Sequence, residues 1–220
     1  MDGALFSDRL EAGRRLADAY DGPEEDVLVL GLARGGLPVA VPLAKKLASP
    51  LDVVTARKLP IPWSPEMGFG AIAPDGSTSI NQEVLRSIGL SPDEVKRIAA
   101  EVLREVHRRE RVYREGRRPE TLEGKNVVLV DDGLATGYTM IAAIEMAGKA
   151  EAASLYVAVP VSPADTAQRI EPMVDRLLVL HLSRGYSFAV AGFYRDFHDM
   201  KDSEVLDALE EARSGAGTGA

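Results

Sequence analysis

The segment Val127-Val128-Leu129-Val130-Asp131-Asp132-Gly133-Leu134-Ala135-Thr136-Gly137-Tyr138-Thr139 concentrates more chemistry than any other stretch of the chain. An apolar run stops at two adjacent carboxylates, a glycine-containing turn follows, and Thr136 and Thr139 open a helical pattern. Free backbone N–H groups at a helix start, joined by two hydroxyls, suit a phosphate. Asp131 and Asp132 would repel that phosphate if they touched it. They suit neighbouring hydroxyls instead, such as those of a ribose, or a metal held through them. One short loop therefore offers an anion site beside a diol site, the layout of a ribose 5-phosphate.

A second glycine-bearing turn, Leu32-Ala33-Arg34-Gly35-Gly36, also ends an apolar run and opens a helix, so it too can face an anion. Arg34 has the planar fork that pairs with phosphate oxygens. Arg57-Lys58 closes what reads as a strand, a place where a cation can reach the same ligand.

These residues need a scaffold, and the apolar runs supply one. Asp26 to Leu32, Leu51 to Arg57, Asn126 to Val130, Ser154 to Val159 and Leu177 to Leu182 read as five strands. Each is nearly all apolar, as expected where helices cover both faces of a parallel sheet. Helical patterns at about 5–20, 37–48, 138–150 and 163–173 alternate with them. The expectation is an α/β domain over 1–213, a mainly parallel five-stranded sheet flanked by helices, with a disordered tail at 214–220. Ligands belong at the carboxyl ends of such strands. Two segments break the rhythm. Pro60 to Asn81, rich in Pro and Gly, reads as a loop with a short hairpin of Phe69 to Ala73 against Thr78 to Asn81. Ser91 to Arg118 reads as a long helix with a capping box of Ser91 and Glu94, its basic residues interleaved with glutamates as a solvated face.

Composition narrows the classes. The chain has 220 residues, no Cys and a formal charge of -8. The lack of Cys excludes disulfides, a Cys-ligated zinc and a thiol nucleophile, and the acidic balance argues against nucleic acid as partner. No apolar run approaches the ~20 residues of a membrane helix, and no leader pattern opens the chain, so a cytoplasmic protein without a membrane partner is expected. Gly68 to Ala73 fits a Gly-x-Gly-x-x-Ala string, but it runs into a Pro74-Asp75-Gly76 turn where a dinucleotide site needs a helix.

Val127 to Thr139 resembles the phosphoribosyl pyrophosphate (PRPP) loop of the type I phosphoribosyltransferases, and a weaker likeness extends from about residue 26 to residue 199. The resemblance implies transfer of 5-phosphoribosyl from PRPP, carrying Mg²⁺ mainly through the substrate, to a nitrogenous, nucleobase-like acceptor in nucleotide salvage, with release of pyrophosphate. It implies that Asp131 and Asp132 hold the ribose hydroxyls, and that Gly133, Leu134, Ala135, Thr136, Gly137, Tyr138 and Thr139 form the phosphate turn. It implies that Arg34, Gly35, Gly36 and Lys58 take the pyrophosphate, and that the loop at 60–81 is a flexible segment able to close over the reaction centre. It also implies a small hood in which Phe188 and Phe193 face the acceptor and Asp196 lies near the metal. Lys58, Glu66 and Asp132 are the expected catalytic residues. Ala135 stands where hypoxanthine- and guanine-type members carry an acid, and Glu66 is the only acid between Lys58 and Asp75. A non-catalytic PRPP- or nucleotide-binding regulator on the same fold is the other reading, and a homodimer is compatible with either.

Overall fold

A computed structural model describes residues 4–185 and 188–216. Its centre is a parallel sheet of β1 (Val27–Leu32), β2 (Leu51–Val54), β6 (Asn126–Val130), β7 (Ser154–Pro163) and β8 (Arg176–Ser183), in the order β2-β1-β6-β7-β8. Alternation along β1 divides the core in two. Val27 and Val29 pack with α1 (Arg9–Ala19), α2 (Gly36–Lys46) and the C-terminal helix α7 (Asp202–Ala216). Leu28 and Leu30 pack toward α5 (Tyr138–Lys149) and α6 (Ala164–Ile170). Both faces being covered, the strands read as unbroken apolar runs.

A second, antiparallel sheet consists of β3 (Arg57–Ile61), β4 (Ser64–Ile72) and β5 (Thr78–Ile80). One face packs on α4 (Pro92–Arg114) through Leu59, Phe69, Ile98 and Val106. Ala71 and Ala73 of β4 and the turn after it rest against Ala142 of α5, which ties this sheet to the helix that follows the PRPP-like loop.

Several expected boundaries move. The hairpin expected at 69–73 and 78–81 is present as β4 and β5 but gains β3, which continues past Pro60 because the pairing shifts register there. The second strand stops at Val54, so Arg57 and Lys58 begin β3 rather than end β2. Residues 5–8 precede α1 instead of forming its first turn, and Phe6 bridges Tyr194. The fourth strand runs on to Pro163. The long helix is capped by the expected Ser91–Glu94 box but ends at Arg114, where Glu115 turns left-handed at φ 51°. A short helix, α3 (Gln82–Ile88), and α7 have no counterpart in the sequence reading. α7 reaches Ala216, into the segment assigned to a tail, and the remainder of that segment, 217–220, lies outside the described residues.

Candidate active site

The chain leaves β1 toward β2 on one side, and the later strands β6, β7 and β8 stack on the other. The loops after β1 and β6 therefore diverge to opposite faces, which opens a crevice between two neighbouring strand ends. Both anion-suited turns lie there. Residues 33–36 follow β1 and lead into α2, whereas residues 131–137 follow β6 and lead into α5.

The two turns touch. A Cβ on Gly36 would lie 2.5 Å from the Val130 carbonyl, and one on Gly35 would lie 2.0 Å from Oδ2 of Asp132. Only glycine permits that approach. Arg34 is half-exposed, and its nearest carboxylate is Asp202 at 3.9 Å, so its guanidinium is not tightly committed within the fold.

Asp131 and Asp132 each spend one carboxylate oxygen inside the protein. Oδ1 of Asp131 accepts the Asp132 amide at 2.9 Å. Oδ2 of Asp132 accepts Nε of Arg9 at 2.8 Å, and the Asp132 carbonyl accepts the Tyr194 hydroxyl at 2.6 Å. Among the described residues the only buried side-chain polar atoms without partners are the Ser49 and Thr55 hydroxyl oxygens. The other oxygen of each Asp therefore remains accessible. Burial and the neighbouring Asp132 charge push the Asp131 carboxyl well up. Burial also raises Asp132, against the pull of Arg9.

The phosphate-suited turn is built as its composition implies, with one change. Gly137 adopts φ 74° and caps α5. A side chain at that φ is strained, and its Cβ would meet Thr166 Cγ2 at 2.8 Å. The Leu134 amide donates to the Val161 carbonyl at 2.9 Å and its side chain is buried, so Leu134 supports the turn from inside. The amides of Ala135, Thr136, Gly137, Tyr138 and Thr139 have no acceptor among the described residues, and Ala135 and Thr136 are exposed. Two contacts from α6 brace the turn. The Thr166 hydroxyl donates to the Ala135 carbonyl at 2.9 Å, and Arg169 donates to the Thr136 carbonyl. A short turn at Val190–Phe193 closes over Gly133, whose Cβ would lie 2.8 Å from Val190.

The remaining expected residues are spread around this crevice. Lys58 shares a sheet face with its cross-strand partner Ala71, the face that packs on α5 beside Tyr138, and donates to the Glu66 carbonyl. Glu66 itself is exposed. Arg57 points the other way, to Glu105 at 3.2 Å, and Arg34 and Arg109 are close enough to lower its proton affinity after the larger effect of burial. The rings of Phe188 and Phe193 pack tilted at 37° with centres 5.2 Å apart, and His181 lies 5.4 Å from Phe193. Asp196 is exposed, with His198 Nδ1 at 3.3 Å. No group of three potential metal-binding His, Asp or Glu residues forms among the described residues. Arg9, Tyr194, Thr166 and Arg169 carry no motif that would have singled them out.

Comparison with known proteins bears on the fold that carries these turns. Residues 8–181 fit the model of the phosphoribosyl transferase domain. The chain belongs to that family. It is 40% identical over 209 residues to proteins of two Mycobacterium tuberculosis strains, CDC 1551 / Oshkosh and H37Rv, both provisionally named phosphoribosyl transferases. The match takes in 94% of this chain and 47% of each relative, so the chain spans about half their length. Among solved structures, the protein TT1426 from Thermus thermophilus superposes with a TM-score of 0.74 at 33% identity, covering 94% of this chain and 98% of that one. The five-stranded parallel α/β fold of the family is thus present here. No described helix is long and apolar enough to cross a membrane.

Proposed function

We propose that this phosphoribosyl transferase-family chain moves 5-phosphoribosyl from Mg·PRPP to a nitrogenous, nucleobase-like acceptor and releases pyrophosphate. The acceptor nitrogen forms a bond to the anomeric carbon as the bond from that carbon to the pyrophosphate oxygen breaks, and the pair of electrons leaves with pyrophosphate. The observation that carries this reading is the pairing of one free oxygen on each of Asp131 and Asp132 with the free amides of 135–139. The carboxylates accept the ribose hydroxyls, and the amides with the Thr136 and Thr139 hydroxyls take the 5-phosphate. Arg34 and the Gly35–Gly36 backbone face the leaving pyrophosphate across the crevice, each charge-assisted contact contributing about 1.5–3 kcal/mol. Lys58 adds a cation from the antiparallel sheet, and Glu66 is the acid available to take a proton from the acceptor. Phe188 and Phe193 supply an aromatic plate for a planar ring. Magnesium would enter with the substrate, and Asp196 is the residue of the hood that would contact it.

The test is pyrophosphate release from PRPP and Mg²⁺ across a panel of purine, pyrimidine and related bases. Turnover with one acceptor supports the transferase, while tight PRPP binding without turnover on any acceptor points to a regulator on this fold. Asp132→Asn, nearly isosteric, is expected to weaken PRPP binding at least tenfold by calorimetry with the fold intact. Unchanged affinity removes Asp132 from the sugar site.

A further inference from the structure

Asp132 is gripped from outside its own loop by the segment around α1's start and by the segment that follows the Val190–Phe193 turn. Residues before α1 pair with the segment that follows the Val190–Phe193 turn. The Phe6 amide donates to the Phe193 carbonyl at 3.0 Å, the Arg195 amide to the Phe6 carbonyl at 2.9 Å, and the Asp196 amide to the Ser7 carbonyl at 2.8 Å. This strap holds two groups against Asp132. Tyr194 fixes its carbonyl, and Arg9, the first residue of α1, reaches its carboxylate.

Arg9 has three partners of its own. Its guanidinium lies 3.9 Å above the centre of the Phe197 ring, one terminal nitrogen donates to the His198 carbonyl at 3.0 Å, and Nε donates to Asp132. The Arg9 side chain is only 10% exposed and that of Asp132 13%, so the pair is shielded from the solvent that weakens surface ion pairs. Phe197 is in turn set by Tyr194, ring centres 5.1 Å apart. An arginine planar on one side and forked on the other can satisfy all three partners at once, which lysine cannot.

We propose that Arg9 is a positioning residue for sugar recognition: by holding Oδ2 of Asp132 it aims Oδ1 at a ribose hydroxyl and keeps the negative charge on that carboxylate. The inference rests on the assignment of the Asp131–Asp132 pair to the diol and adds a determinant, contributed by α1's first residue and the segment at 194–198, for choosing ribose over its 2-deoxy counterpart. A side chain that must accept a hydroxyl proton discriminates only while its free oxygen is held in place.

Ribose 5-phosphate, 2-deoxyribose 5-phosphate and inorganic phosphate, titrated into the full chain by calorimetry, test it. Wild type is expected to prefer ribose 5-phosphate over the 2-deoxy sugar at least tenfold. Arg9→Gln should narrow that preference to threefold or less and leave phosphate affinity within twofold, and Arg9→Lys should recover part of it. An Arg9→Gln variant that keeps the wild-type ratio, that weakens both sugars equally, or that binds ribose 5-phosphate more tightly overturns the proposal. A wild type that shows no preference between the sugars instead overturns the diol assignment beneath it. Should Arg9→Gln not fold, Phe197→Leu removes the ring stacked on Arg9, together with its contact to Tyr194, and keeps the arginine and its hydrogen-bond donors. It should cut the preference about threefold, and an unchanged ratio there counts equally against Arg9.

Discussion

Two pairs of sheltered carboxylates sit beside one arginine each: Asp52 and Glu110 with Arg114, and Asp131 and Asp132 with Arg9. In the first pair nothing is left over. Asp52 takes Nε of Arg114 at 3.1 Å, the Glu120 amide at 3.1 Å and its neighbour's amide at 2.7 Å. Glu110 takes Arg114 at 2.7 Å and the Thr55 amide at 3.3 Å, and Arg114 also caps the Val53 carbonyl at 2.6 Å. The second pair keeps an oxygen free on each residue. Burial raises the proton affinity of Glu110 as it does that of Asp131, so a perturbed carboxyl does not separate the two places. Unspent hydrogen-bonding capacity does. The Arg114 cluster fastens α4 to β2, whereas the Asp131–Asp132 pair keeps acceptor capacity unused within the fold.

Removing the arginine from the satisfied cluster should give the largest effect. Arg114→Met strands two sheltered carboxylates and should lower unfolding free energy by about 3–5 kcal/mol, read in a denaturant titration. PRPP affinity of the fraction that remains folded should stay within threefold. A loss of PRPP binding without loss of stability would merge the two regions. Gly35→Ala attacks the other pair, because the new Cβ falls 2.0 Å from Oδ2 of Asp132 and must push the carboxylate off Arg9. PRPP affinity should fall at least tenfold, about 1.4 kcal/mol, and an unaltered titration curve would show that this contact does not matter to the ligand.

The smallest effect is expected at Glu105, an acid whose partners are all near the surface. Arg108 and Arg109, at 2.7 and 2.9 Å, hold its carboxyl down to about 2. A carboxyl depressed on folding stabilises the protein above its ordinary value of 4.5, and that contribution fades as pH falls toward 2. Glu105→Gln should therefore cost under about 1 kcal/mol at neutral pH and flatten the stability-against-pH curve between those values. An identical curve would leave this ion-paired face without a role in stability.

The central strands were readable because a strand buried on both faces is apolar at every position, as Val127 to Val130 show. The antiparallel sheet was less so. Pro60 and Pro65 interrupt its pattern, and the structure tolerates them through the register shift near Pro60 and at the start of β4. The helix α7 went unread since its buried face is thin, carried by Val205, Ala208, Leu209 and Ala212. In the site, Asp131, Asp132 and the Thr136–Gly137 turn stood out because strand end, turn and helix start are neighbours in sequence. Arg9 lies 123 residues from Asp132, Tyr194 lies 62 residues from it, and Arg169 lies 33 residues from Thr136.

Local backbone chemistry was thus settled by residue order alone. That two carboxylates end a strand and that a helix opens just after them follow from groups a few bonds apart, whereas the engagement of the Leu134 amide and the need for glycine at 35 and 36 come from distant partners. The folded chain decided the rest: that β6 lies next to β1, so two separate turns share one crevice, and that Arg9 and Tyr194 meet over Asp132. Those outcomes depend on how helices cross from strand to strand and on charges meeting through space, and neither leaves a periodic mark in the sequence.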